Sequence, residues 1–208
     1  MANLLYIKVN PKDDEQSRSS RLANHFLEKY KQKHPEDNIE ILDLYHADIP
    51  FLDVDVFSAW GKFASHEKLT ENEMIKALQM DQLTSQFLRA DKLVFSLPFW
   101  NLSYPPMFKA YIDTICIAGK TFHYTENGPE GLVPDKPVLL IESRGGVYSD
   151  GPAANMEFSQ RYFNTILNFM GIQNIHSVIA EGLDIDPNRE KDILVEAKNK
   201  LNALAPNF

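Results

Sequence analysis

The stretch LVFSLPFWNLSYPPMFKAYIDTICI, Leu93 to Ile117, decides the fold. It opens on an apolar, β-prone run, Leu93-Val94-Phe95, and passes through an irregular turn, Pro98-Phe99-Trp100-Asn101-Leu102. After Pro105-Pro106 it sets Met107, Phe108, Tyr111, Ile112 and Ile115 on one helical side. A strand, an aromatic loop at its carboxyl end and then a helix mark the place where ligands bind in an open α/β sheet. The loop pairs a flat aromatic with an amide donor, which suits a flat heteroaromatic ligand better than a metal or a sugar.

Working outward, the same alternation recurs along the chain. Leu4 to Val9 reads as a strand, and Ser17 to His34 as a helix in which Leu22, Phe26 and Tyr30 repeat at i, i+4, i+8 and Pro35 forces the stop. Ile39 to Leu44 is a second strand. Tyr45 to Leu69 reads as a long connection whose aromatics Phe51, Phe57, Trp60 and Phe63 need something to pack on. Its Asp53 and Asp55 resemble a catalytic carboxylate pair but are expected on a solvated turn. Thr70 with Glu73 forms a capping box for the next helix, and Lys92 to Leu97 is the third strand. The Met107–Ala118 helix is expected to close at Gly119. The segment 120–135 reads as a protruding hairpin or lid. Pro137 to Glu142 is the fourth strand, Phe158, Tyr162 and Ile166 stripe the next helix, and Asn174 to Ala180 is the fifth strand. Asp186 and Pro187 open the last helix. The order is that of a parallel sheet with helices on both faces, in one α/β domain over 1–208.

Composition narrows the classes. The 208 residues carry a net charge of -8, which argues against a nucleic-acid binder but leaves room for an anion held by backbone N–H groups. The single Cys116 forms no intrachain disulfide and no thiolate cluster. The start has no secretory pattern, and no run approaches the roughly 18 apolar residues of a membrane span, so a cytoplasmic protein is expected. The histidines show no metal-ligand spacing. His123 is expected on the solvent side of the hairpin.

Three loops at strand ends then define a candidate site. Ser17-Arg18-Ser19 opens the first helix; it is either a simple cap or a phosphate site in which Arg18 adds a charge-assisted bond. Pro98-Phe99-Trp100-Asn101-Leu102 follows the third strand. Ser143-Arg144-Gly145-Gly146 follows the fourth, and its glycines serve a tight turn or admit a ligand close to the backbone. In a flavodoxin-like strand order, 2-1-3-4-5, these loops are neighbours at the switch point. A phosphate grip, an aromatic wall and a set of backbone donors together suit FMN. No G-x-G-x-x-G and no Walker motif is present.

The S-R-S helix start, P-F-W-N-L, G-K-T-F-H-Y-T-E-N-G-P-E-G-L and S-R-G-G resemble the FMN-dependent NADH:quinone oxidoreductase and azoreductase family over nearly the whole chain. The resemblance implies a homodimer with one FMN per subunit and active sites at the interface. It implies ping-pong transfer of two electrons from NADH or NADPH to quinones or azo compounds. It places Ser17, Arg18 and Ser19 on the phosphate, Phe99 to Leu102 on the ring and ribityl, and Ser143 to Gly146 on the ring edge. Asn10 stands where many members have a phosphate-binding serine, and Tyr124 matches a position lining the acceptor pocket. No protein residue is nominated as a proton donor. A flavodoxin-type electron carrier, an NADPH-dependent FMN reductase, and a protein that kept the fold without the cofactor are the competing readings.

Overall fold

Leu4, Leu5, Ile7, Leu93, Val94, Phe95, Val138, Leu139, Leu140 and Ile141 are all essentially inaccessible to water. Strands apolar on both faces must be covered on both faces, which is the signature of a parallel sheet. The computed structural model describes residues 1–208 and shows that arrangement. In chain order the elements are β1 (Asn3–Lys8), α1 (Arg18–Lys33), β2 (Asn38–Asp43), α2 (Val54–Ser65), α3 (Glu71–Arg89), β3 (Lys92–Pro98) and α4 (Pro106–Ile115). They continue with β4 (Phe122–Thr125), β5 (Gly128–Gly131), β6 (Val138–Ser143), α5 (Ser159–Met170), β7 (Ile175–Ala180) and α6 (Glu190–Leu204), with a 3-10 turn at Gly151–Met156 before α5.

The sheet order is β2-β1-β3-β6-β7, all parallel, which is the expected 2-1-3-4-5 order once the β4–β5 hairpin is set aside. On one face α1 and α6 bury Leu22, Phe26, Tyr30, Ala197 and Leu201 against Leu4, Tyr6, Val94 and Ile141. On the other, α3, α4 and α5 bury Phe87, Phe108, Tyr111, Phe163 and Leu167 against Leu5, Ile7, Phe95 and Leu140.

Four expectations are corrected. The Tyr45–Leu69 connection contains α2. Asp53 is its N-cap, accepting from the N–H groups of Asp55 (3.1 Å) and Val56 (3.2 Å). Asp53 and Asp55 also both pair with Lys76 of α3, so they join two helices rather than standing on a solvated turn. The helix after Pro106 ends at Ile115 rather than Ala118, because the Thr121 hydroxyl donates to the Ile115 carbonyl (2.8 Å) and accepts from the Ile117 N–H (2.9 Å). Gly119, at φ +81, belongs to the turn that follows. The buried stripe of α5 is Phe163, Leu167 and Met170, with Phe158 more than half exposed at the N-cap. Asp186 accepts from the Asn188 N–H in a turn (3.0 Å), and α6 begins only at Glu190.

The 120–135 segment is the expected hairpin, but it is not a lid over its own subunit's strand ends. Its base is tied to the carboxyl end of α5 by the Val133 N–H to the Met170 carbonyl (3.0 Å) and by Phe122 against Phe169 (4.6 Å between ring centroids). That is the amino-terminal edge of the sheet. A Cβ on Gly131 would lie 2.2 Å from the Gly171 nitrogen, so this docking tolerates only glycine.

Near the amino edge, Asp37 accepts from the Tyr30 hydroxyl (2.5 Å) and the Ala2 N–H (2.7 Å). These bonds hold its pKa down from 3.8 to about 2. A depressed folded-state pKa stabilises above the unfolded value and the contribution is lost as pH falls through the folded value. Asp37→Asn is therefore expected to cost about 2 kcal/mol at neutral pH. Urea unfolding followed from neutral pH downward should show that difference narrowing from about pH 4 toward 2, the interval set by the shift.

Candidate functional site

A cleft of about 510 Å³ opens at the carboxyl ends of β1, β3 and β6. Its volume is in the ordinary range for a small-molecule site, roughly 300–1,000 Å³. Of the residues singled out in the sequence, Asn10, Ser17, Arg18, Pro98, Phe99, Trp100, Ser143, Arg144 and Gly145 line it. Ser19 is fully buried behind it, and Asn101, Leu102 and Gly146 adjoin lining residues without lining it themselves. Tyr124, three-quarters exposed on the β4–β5 hairpin, is not part of it.

The first wall is the start of α1. Ser17 is the N-cap, its hydroxyl accepting from the Ser20 N–H (3.1 Å). Asn10 Nδ2 donates to the same oxygen (2.8 Å), and the Ser19 hydroxyl lies 3.2 Å away. The Arg18 and Ser19 N–H groups stand in the first helical turn, where no helical carbonyl reaches them. With the helix dipole they could hold an anion. Asn10 thus orients the Ser17 hydroxyl. The Arg18 guanidinium is engaged by Asp184 Oδ1 (2.7 Å) and Glu190 Oε1 (3.0 Å). Burial opposes its charge, and the two carboxylates outweigh burial and raise its pKa. Arg18 is therefore not a free phosphate-binding cation, and the anion must be met mainly by hydroxyls and N–H groups.

The second wall is the loop after β3. Trp100 and Ser103 exchange two backbone hydrogen bonds, 2.8 and 2.9 Å, around Asn101 at φ 48 and Leu102 at φ 68. Left-handed backbone is tolerable for asparagine and costly for leucine. The Leu102 carbonyl accepts from the Phe158 N–H (3.1 Å), which ties the strained turn to the start of α5.

The third wall is Ser143–Gly146. Its carbonyls at Arg144, Gly145 and Gly146 accept from the N–H groups of Leu183, Asp184 and Gly182 at 3.2, 2.9 and 2.9 Å. The Gly145 and Gly146 N–H groups donate to no backbone carbonyl. Both glycines leave room for neighbouring side chains. A Cβ on Gly145 would meet Asp184 Oδ2 at 2.4 Å, and one on Gly146 would meet the Tyr148 ring at 2.9 Å.

Arg144 lines the cleft, but its charge is turned away from it. Its guanidinium points into the protein, fully buried, onto Glu142 (2.8 Å), Glu157 (3.0 Å) and Glu181 (3.7 Å), with Cζ 5.0 Å from the Phe99 ring centroid. It supports the cleft from beneath. Burial pushes the Glu142 carboxyl pKa up, against the pull of Arg144.

Lys12, Gln16, Asp184, Glu190 and Tyr148 were missed. Asp184 lies in the loop after β7, and extending the strand-end rule to the last strand would have found it. Tyr148 packs on Phe99 with centroids 4.6 Å apart, a contact no local pattern announces.

The donor set fits a phosphorylated flat heterocycle: first-turn N–H groups and hydroxyls at one end, an aromatic wall, and free N–H groups of two glycines at the other. Comparison with known proteins agrees. A family model described as the flavodoxin-like fold matches residues 2–205. The chain is similar to an FMN-dependent NADH:quinone oxidoreductase of Staphylococcus aureus, 44% identical over 100% of both chains. It is similar in structure to an azoreductase of Bacillus anthracis, at TM-score 0.94 and 38% identity over 100% of both chains. It also resembles an FMN-dependent NADH-azoreductase of Bacillus anthracis in complex with FMN, at TM-score 0.93 and 35% identity over 99% of this chain and 98% of that one.

Ser17→Ala removes the acceptor of the Ser20 N–H and of Asn10 Nδ2. It is expected to lower stability by about 1 kcal/mol, the usual value of an N-cap. A shift of the urea midpoint at unchanged slope is the check. An unchanged midpoint would mean the Ser17 hydroxyl does not hold the helix start.

Proposed function

From the premise that this chain belongs to the flavodoxin-like family of FMN-dependent NADH:quinone oxidoreductases and azoreductases, we propose that it binds FMN and reduces quinones and aromatic azo compounds with NADH or NADPH. The observation that carries this reading is the cleft at the β1, β3 and β6 ends, whose three walls bring hydroxyls and first-turn N–H groups, aromatic side chains and unpaired glycine N–H groups together. When bound, the cofactor supplies two-electron chemistry, taking hydride from the nicotinamide and passing two electrons to the acceptor in a ping-pong sequence. The protein supplies position and electrostatics. The Ser17 hydroxyl and the first-turn N–H groups of Arg18 and Ser19 would hold the phosphate, with the Ser19 hydroxyl backing Ser17 at 3.2 Å. Phe99, Trp100, Asn101 and Leu102 flank the ring and ribityl. The Gly145 and Gly146 N–H groups would meet the ring edge, where donors would favour negative charge on the ring. An open aromatic wall of this kind suits a range of flat acceptors, and the protons that quinone and azo reduction consume can come from water.

A homodimer with its sites at the interface is supported by two surfaces. Phe57 and Phe63 on α2 and Leu78 on α3 are more than half exposed, and a groove of about 320 Å³ runs between the two helices beside Trp60, Met74 and Ile117. Contiguous apolar surface of this kind marks an interaction site. Tyr124 sits at the far edge of its own sheet, so a role at an acceptor pocket means the cleft of a partner subunit. No helix is long and apolar enough to cross a membrane. The acidic net charge of -8 suits no nucleic-acid partner, and a cytoplasmic location fits the single free thiol.

Anaerobic addition of NADH to the FMN-loaded protein is expected to bleach the visible flavin band rapidly. A quinone should then restore it. No bleaching with NADH or NADPH would overturn the enzyme reading in favour of an electron carrier, and FMN that leaves during turnover would favour an FMN reductase. Phe63→Glu with Leu78→Glu is expected to yield monomers in sedimentation analysis. A persisting dimer would move the interface elsewhere.

A further inference from the structure

A guanidinium removed from water is costly unless it is fully paired. Arg144 is fully buried, yet its Nη1 makes no hydrogen bond and stands 3.7 Å from Glu181 Oε2. Glu181 is already engaged. Its Oε2 accepts from the N–H groups of Tyr148 (3.0 Å) and Ser149 (3.2 Å), and its Oε1 accepts from the Ser149 hydroxyl. One carboxylate from the end of β7 thus gathers the backbone of residues 148 and 149 above a buried cation that is itself part of the loop. The same cation lies against the Phe99 ring, and the Phe99 ring packs on Tyr148.

We propose that Glu181, working with Arg144, is a positioning residue for the cofactor: it fixes the course of residues 147–149, which continue the Gly145-Gly146 turn, and with it the Tyr148 ring over Phe99. This rests on the FMN reading above. Beyond Gly146 the loop has little else to hold it. Gly146 has no side chain, Val147 and Ser149 are exposed, and the bonds from Gly182, Leu183 and Asp184 reach only the carbonyls of residues 144–146. Without Glu181 the chain from Val147 to Asp150 loses three hydrogen bonds at once, and the Tyr148 ring loses its register on Phe99.

The test is FMN affinity by fluorescence titration of the dimeric apoprotein, alongside thermal unfolding and steady-state kinetics. Glu181→Ala is expected to weaken FMN binding by about tenfold, the equivalent of a lost charge-assisted hydrogen bond. Glu181→Gln, which keeps acceptors for both N–H groups, should recover part of it. The KM for NADH should rise more than kcat falls. Lys136→Met provides the control: this buried lysine donates to the carbonyls of Phe87, Leu88 and Ala90 at the opposite edge of the sheet. It should lower the unfolding temperature and leave FMN affinity within twofold. Ser149→Ala, the mildest change, is expected to weaken FMN binding about threefold. Glu181→Ala binding FMN within twofold of wild type would overturn the inference, as would equal weakening in Lys136→Met. A wild-type protein that does not bind FMN would overturn the functional reading beneath it.

Discussion

Five strands that all run the same way must send every connection back across a face of the sheet, and this constraint places the whole cleft at one edge. Each parallel pair needs a crossover helix, so each strand's carboxyl end is followed by a loop and most of these loops by a helix start. The order β2-β1-β3-β6-β7 sends the chain outward in opposite directions from β1 and β3. Between those two strands the loops diverge and leave space. Ser17, Phe99 and Gly145 come from parts of the chain far apart in sequence and meet there because the topology leaves them nowhere else.

The cleft is held from beneath by charge. Arg144 joins Glu142 of β6, Glu157 at the start of α5 and Glu181 after β7. Glu157 also accepts from the N–H groups of Ser159 (2.9 Å) and Gln160 (2.8 Å), so the cluster caps α5 as well. Buried ion clusters of this kind contribute little net stability compared with a well-packed apolar replacement. Their worth here is geometric, because they give a loop with two adjacent glycines one course. At the cleft mouth the cations Lys12, Arg18 and Arg21 face Glu15, Asp184 and Glu190. Recognition of an anion there rests on oriented N–H groups more than on net charge.

Much of this was legible in the sequence, for physical reasons. The strands were readable because fully buried parallel strands are apolar runs, and α1 and α3 because their caps, Ser17 and Thr70, are local signals. The site loops followed from strand order. What failed to show were features set by distant partners. The helix α2 was hidden because its aromatic face is exposed, so its periodicity does not point at the core. Thr121 ends α4 with a side chain outside the helix. The inward turn of the Arg144 side chain was not legible, because two of its three glutamate partners, Glu157 and Glu181, come from other segments. The hairpin read as a lid because its composition is that of a protruding loop, and composition carries no information about which edge of the sheet it docks on.

The most direct measurement is an amide NMR titration of the isotope-labelled apoprotein with FMN. The account predicts the largest shifts at Arg18, Ser19, Asn101, Leu102, Gly145 and Gly146, saturating together at one FMN per chain. Shifts concentrated instead in the groove between α2 and α3, or spread without preference over the surface, would contradict it.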